Sequence, residues 1–430
     1  MMRIESQSAT AKHLSSSAHF AKRIAKRWFV YALGLAVAAM VAAPAAQAQT
    51  FDVLYSFTAY TDGALPYAQL IVRDGSLYGT TQLGGRPNWG TVFTVNNRGA
   101  EAVLHRFTIP DGSLPTAGLV MDSAGNIYGT AAQGGYLSCD SPLGCGTIFK
   151  LDTTGTYTVL HTFAGLAKGF GPLAGLITDS AGNLYGTTWL GGNLKCNIPY
   201  RGFGCGVVFK LDASGTYTVV HAFNGEDGAT PLYGPLVMDS AGNLYGTTSN
   251  GGAYGNGTVF ELDPKGIETV LYSFKGGRDG AFPYAGLFRD EKGNLYGTTY
   301  HGGEPGKCLN VGCGVVFKVD SSGTETVLYR FNGGMDGEWP ESSLIRDSQG
   351  NLYGTTYYGG DPSCDNGGIV GCGTVFKVDA SGTETFLHRF NPSTDGENPV
   401  AGLVMDSKGI LYGTALNGGK GYGTVFRLTP

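Results

Sequence analysis

The chain has 430 residues, 42% of them hydrophobic and 15% charged, with 71 glycines and a formal net charge of −5. Residues 1–48 hold 6 of the 29 Lys and Arg but only 1 of the 34 Asp and Glu, so the rest of the chain carries 23 against 33, a net of −10. A surface this acidic repels phosphate backbones and excludes nucleic acid as an expected partner.

The first element in chain order is a leader. Lys12, Lys22, Arg23, Lys26 and Arg27 precede the apolar run WFVYALGLAVAAMVAA, which ends at Pro44 and a small-residue AQA at 46–48. This is the pattern of a secretory signal peptide with its cut after Ala48. The run of 16 residues is short for a membrane span, and no later stretch is long and apolar enough to cross a bilayer. The expected organisation is 1–48 signal peptide and 49–430 mature domain, secreted or periplasmic, with no membrane span after cleavage.

The segment FDVLYSF (51–57) is the first predicted strand, and it stands alone. After it a unit repeats, with the Tyr of an LYGT motif at Tyr78, Tyr128, Tyr185, Tyr245, Tyr296, Tyr353 and Tyr412, spaced by 50, 57, 60, 51, 57 and 59 residues. A period near fifty fits a four-stranded propeller blade. Its strands are typified by AGLVMD (401–406, strand A), NLYGTT (243–248, B), GTVFELD (257–263, C) and TVLYSF (269–274, D), each bounded by Gly, Asp, Asn or Pro turn chemistry. The chain ends on GTVFRLTP, a C strand with no D after it, while 51–57 is a D strand with nothing before it. Together they complete a seventh blade if the termini meet, which removes two exposed sheet edges. The predicted fold is all-β: a seven-bladed β-propeller of four-stranded blades, its ring closed by the N-terminal strand. The Gly of LYGT removes a side chain in mid-strand and so predicts close packing there. The expected partner is a neighbouring blade's aromatic, the Phe of GTVF.

Length variation is confined to the B–C loop, where Tyr-to-Gly segments measure 12, 18, 21, 12, 18, 20 and 11 residues. All eight cysteines lie in the four long loops, as Cys139 with Cys145, Cys196 with Cys205, Cys308 with Cys313, and Cys364 with Cys372. Even count, paired placement and a secretory leader predict four local disulfides. Spacings of 6, 9, 5 and 8 form no CxxC knuckle, so no metal is expected at these cysteines.

Candidate functional residues fall on the face shared by the D–A and B–C loops. Six D–A loops read DGxxP and place Asp62, Asp111, Asp227, Asp279, Asp336 and Asp395 in equivalent positions, either as a ligand-facing ring of carboxylates or as turn chemistry. Four histidines share one D-strand position with tyrosines and read as packing residues. His301 is the exception, beside a B–C loop glycine pair. Trp89, Trp189 and Trp339, with Tyr200, Tyr300, Tyr357 and Tyr358, bring to this face rings that suit stacking on a sugar. The strand-A openings around the axis are mostly small, with Gln69 and Glu341 as the polar departures, which makes a poor metal site. No nucleophile elbow or phosphate-binding Gly loop is present.

The unit PxAGLxxDSxGNLYGTTxxGG…GTVFKLDxxGTxTVLHxF resembles the GloVer tandem repeat of secreted bacterial proteins, in seven copies over essentially the whole mature chain, and more distantly the NHL-type propeller blade. The resemblance implies an exported bacterial propeller and brings no activity with it. The chain ends directly after its last strand, which favours release or periplasmic residence over anchoring. The resulting expectation is an exported, monomeric, non-catalytic binding or interaction module without a cofactor. Its partner is expected to be a glycan or another extracellular protein. The alternatives are a secreted lyase or lactonase-type enzyme using Gln69, Glu341 and His301 at the channel mouth, and a structural envelope protein.

Overall fold

The computed structural model describes residues 49–135, 139, 143–196, 202–364 and 371–430; the expected signal peptide, 1–48, lies outside them. Among these residues there are twenty-eight strands in seven four-stranded antiparallel sheets, with three single-turn 3-10 helices. The blades, numbered I to VII from the first complete A–B–C–D set, follow the sequence order, and the last is composite. There the first strand, Thr50–Ser56, pairs with the final strand, Thr424–Thr429, placing Phe51 opposite Leu428 and Val53 opposite Phe426. Arg427 and Asp52 tie the same pair at 2.7 Å. The ring closes with head and tail in one sheet.

Strands B, C and D lie close to their predicted bounds; in blade III they are Leu184–Thr188, Val207–Leu211 and Tyr217–Ala222. Strand A is shorter than expected, two residues in every blade but the first. Its AGL opening is taken up by contacts between blades near the axis: a Cβ on Gly175 would lie 3.1 Å from the Gly118 carbonyl oxygen, and one on Gly234 would lie 2.3 Å from the Gly286 nitrogen. Small residues stand there because neighbouring backbones nearly touch.

The LYGT glycine is a packing device, but its partner is corrected. A Cβ on Gly186 would lie 2.7 Å from Phe209 Cζ and 2.9 Å from Leu176. Phe209 is the direct cross-strand neighbour of Gly186 within the same blade, not a residue of the next one. The neighbour's aromatic sits one layer further out. The Phe that follows each D strand meets the strand-C Phe of the next blade edge-on, with centroids 5.0–5.4 Å apart at all seven interfaces. Phe57 of the composite blade closes this circle on Phe93 of blade I. Fully burying each such ring stabilises by about 1.5–3 kcal/mol, and the edge contact adds about 0.5–1.5 kcal/mol.

Candidate binding site at the channel mouth

The loop face is assembled by one device used seven times. The residue before the D–A loop proline adopts left-handed backbone: Leu65, Leu114, Gly171, Thr230, Phe282, Trp339 and Asn398, with φ between 53° and 65°. Only one is glycine, so the other six hold a conformation costing roughly 1–2 kcal/mol each. Two backbone hydrogen bonds offset that cost. The N–H donates to the loop end of the preceding blade, and the C=O accepts from the residue after strand B of its own blade. For Trp339 these are Trp339 N–H to the Cys313 carbonyl, 2.8 Å, and Tyr357 N–H to the Trp339 carbonyl, 3.1 Å.

The cysteines belong to this device. All four predicted disulfides are present, with Cα–Cα separations of 6.1, 5.9, 5.2 and 5.8 Å. The second cysteine of each pair, Cys145, Cys205, Cys313 or Cys372, offers the carbonyl that receives the next blade's N–H. A long B–C loop is thereby fixed at the interface. Two pairs have a glutamate nearby, Glu338 and Glu397, but disulfide sulfurs are not thiolate donors for a metal.

The DGxxP carboxylates are engaged within their own turns. Asp62 accepts from the Tyr55 hydroxyl (2.7 Å) and from the Thr58 N–H and hydroxyl. Asp279 and Asp336 accept from Tyr272 and Tyr329 at 2.5 Å. Asp227 and Asp395 meet His221 (3.1 Å) and His388 (2.5 Å), while Asp111 lies 3.4 Å from His105 and accepts from the Thr108 N–H. At six of the seven D–A loops the D strand's Tyr or His therefore lies beside the Asp seven or six residues later; at the seventh, His161 is followed at that place by Lys168.

Sequence-selected aromatics divide into separate groups. Trp339 is 7% exposed, and its indole N–H donates to the Gly312 carbonyl at 3.3 Å, so the ring is a buried support. Around it stand Tyr300 (5.2 Å), Tyr358 (5.6 Å) and His301 (6.0 Å), with Tyr357 4.4 Å from Tyr358 and Tyr284 stacked 4.8 Å from Tyr300. Trp89 packs against the core shared by blades I and II, and Trp189 follows strand B of blade III. Tyr200 lies outside the described residues. Burial lowers the His301 pKa, leaving its ring neutral at physiological pH.

In five of the seven blades the residue after the D–A proline, or one later in blade IV, reaches the axis. A cavity of about 200 Å³ there is lined by Tyr67, Thr116, Tyr233, Glu341 and Val400 from these positions, with Gln69 and Ser343 just beyond. The Tyr67 hydroxyl donates to Glu341 at 3.3 Å, and the Tyr67 and Tyr233 rings are 5.0 Å apart. The Gln69 amide N–H donates to the Leu403 carbonyl of the adjacent blade VII at 2.8 Å. Burial pushes Glu341 up to about 7 although the Tyr67 hydrogen bond pulls the other way. Burial and then the Glu341 carboxyl raise Tyr67 and Tyr300, and for Tyr357 the order is burial, Tyr358 and Glu341. Sequence reasoning selected Glu341 and Gln69 but missed Tyr67, Tyr233 and Tyr284. Their signal was their place directly behind the proline, or one residue later in blade IV, where Leu232 to Pro235 is one residue longer than its counterparts.

Such an assembly defines a closed seven-bladed propeller whose disulfide-braced loop face opens on a tyrosine-lined channel mouth. The chain belongs to the Gloeobacter/Verrucomicrobia repeat family, whose model matches residues 40–200 and 199–426. No curated protein matches the sequence significantly. Among solved structures, the chain is similar to the extracellular domain of BT3049, described as a hybrid two component system of B. thetaiotaomicron: 13% identity, TM-score 0.53, covering 89% of this chain and 41% of that one. It is similar also to the extracellular domain of BT4673 of B. thetaiotaomicron, described as a one component system, at 12% identity and TM-score 0.51, covering 89% and 42%. This chain thus spans about two fifths of the length of those two proteins. A gluconolactonase of Xanthomonas campestris, XC5397, aligns at 15% identity and TM-score 0.40 over 79% of this chain and 89% of that one. Identities at this level establish the fold alone.

Proposed function

We propose that this protein is an exported, monomeric, non-catalytic binding propeller that takes a glycan over the channel mouth, in the sector of blades V and VI. The observation that carries the reading is the half-buried group Tyr284, Tyr300, Tyr357 and Tyr358, in ring contact with one another or through Trp339, beside the Glu341 carboxyl. A tyrosine offers a flat apolar face to a sugar ring and a hydroxyl to its rim. The leader pattern and the disulfides support export, and no helix among the described residues is long and apolar enough to cross a membrane. A glycan array probed with the purified protein tests the reading. Binding that disappears in a Tyr300→Ala, Tyr357→Ala variant is the expected result, and an array with no wild-type signal removes the glycan.

A lactonase-type or lyase enzyme is the second reading, favoured by Glu341, whose pKa of about 7 is suited to general acid or base work. Turnover of a sugar lactone that Glu341→Gln abolishes would move the protein to that class.

A further inference from the structure

Glu341 is the only acidic residue lining the axial cavity, and no Lys, Arg or His lines it among the described residues. A carboxylate enclosed without a cationic partner is costly, because nothing nearby replaces the water it has lost. Among the described residues the Tyr67 hydroxyl donates to it at 3.3 Å. Phenols stand about it, Tyr67 and Tyr233 in the cavity wall and Tyr300, Tyr357 and Tyr358 within electrostatic reach. Electron-rich rings around one negative charge form an environment that accepts a positively charged nitrogen. A metal ion fits poorly, since a hard divalent cation asks for six or more oxygens and the charged or amide side-chain oxygens here are those of one carboxylate, Glu341, and the Gln69 amide, among neutral hydroxyls and phenols.

We propose that the channel mouth is an ammonium-binding subsite, in which the Glu341 carboxylate and the Tyr67 and Tyr233 rings take the cationic nitrogen of an amino sugar. The sugar rests on the glycan reading above; the ammonium does not. The cavity of about 200 Å³ admits a single substituted ammonium group and not a whole oligosaccharide, so the remaining sugar rings would extend over Tyr300 and Tyr357.

Calorimetric titration of the purified protein with choline, and with its uncharged carbon isostere 3,3-dimethylbutanol, tests the ammonium. Chitosan oligomers beside their N-acetylated counterparts test the sugar. Choline is expected to bind about tenfold or more tighter than the isostere, and the deacetylated oligomers to exceed the acetylated ones by a similar factor. Glu341→Gln should remove the preference, and Tyr67→Phe should weaken it while keeping the ring; the melting temperature of each variant reports its folding. Choline keeps its charge at every pH, so its affinity should rise from pH 5.5 to 7.5 in the parent, as Glu341 ionises through about 7, and stay flat in Glu341→Gln. Tyr67, Tyr300, Tyr357 and Tyr358 are raised and do not titrate in that window. Equal binding of choline and its isostere, no binding of choline, or a folded Glu341→Gln that keeps the preference overturns the ammonium site. Neutral glycans that bind regardless of Glu341→Gln would leave the glycan reading standing alone; choline binding without any oligomer binding would leave the ammonium site standing alone.

Discussion

Blades II and VI can be laid over one another residue for residue along their frames. Both have a long B–C loop closed by a disulfide, Cys139–Cys145 and Cys364–Cys372. In both a mid-strand glycine is covered by its cross-strand phenylalanine, Gly129 by Phe149 and Gly354 by Phe376. Both carry a left-handed residue before the D–A proline, Leu114 at φ 53° and Trp339 at φ 56°. They part company at the mouth, where blade II has Leu114, Thr116, Ala132 and Gln133, and blade VI has Trp339, Glu341, Tyr357 and Tyr358 at the same positions. The frame repeats because every blade must fit its neighbours. Positions where two such similar copies diverge are free of that demand and available for binding.

The comparison breaks most visibly in the frame. Gly129→Val and Gly354→Val each put side-chain atoms where a Cβ alone would approach phenylalanine carbons at 2.6 and 2.7 Å, and both variants are expected to yield no soluble folded protein. A variant that melted like the parent in either blade would remove the packing account. Next come the left-handed residues themselves. Trp339→Ala empties a buried site and should cost about 3–5 kcal/mol in urea unfolding, whereas Leu114→Ala, at a half-exposed position, should cost about 1 kcal/mol. Equal losses would mean that blade VI is not specially filled.

The smallest effect distinguishes the outer edges of the two blades. Blade II presents Tyr157, stacked 3.7 Å from His105 of blade I, while blade VI presents Glu384 at the same D-strand position. Burial and then the Asp336 carboxylate push Glu384 up to about 8, against the pull of Arg389. Glu101, Glu268 and Glu325 occupy the same position in other blades and are pushed to about 7, by burial first and then by Asp62, Asp227 and Asp279. A carboxyl whose folded pKa is raised contributes stability that is fully present below its unfolded pKa and lost as pH rises through the folded value. The melting temperature should therefore fall between about pH 4.5 and 8. Glu384→Gln should make that fall shallower and Tyr157→Phe should leave it unchanged; a melting temperature that rises over the same window would contradict the assignment.

Architecture was largely legible in the sequence, because seven copies of a near-constant unit report their own period and the unmatched D and C strands at the ends report the closure. Cysteine pairing was legible for a related reason: each pair sits inside one loop, with its second member against the strand-C glycine. Layering was harder to read. Phe209 could have covered a glycine in its own blade or in the next, and only the register separates the two. The mouth was legible in part. Glu341 stood out as a polar departure, and Tyr300, Tyr357 and Tyr358 as aromatics the repeat does not require. Tyr67 and Tyr284 were hidden because PYA reads as an ordinary strand opening, although the first lines the axial cavity and the second stacks on Tyr300. Trp339 read as a stacking platform, yet its place in the left-handed turn buries it beneath the rings that are accessible.

The central claim is that departures from the repeat in blades V and VI, and not the repeated frame, form the binding surface. Amide hydrogen exchange of the protein with and without the strongest glycan from the array tests it most directly. Slowed exchange confined to 282–303 and 338–360, with blade II unchanged at 113–134, is the predicted footprint; protection centred on blade II, or spread evenly over all seven loops, would contradict it.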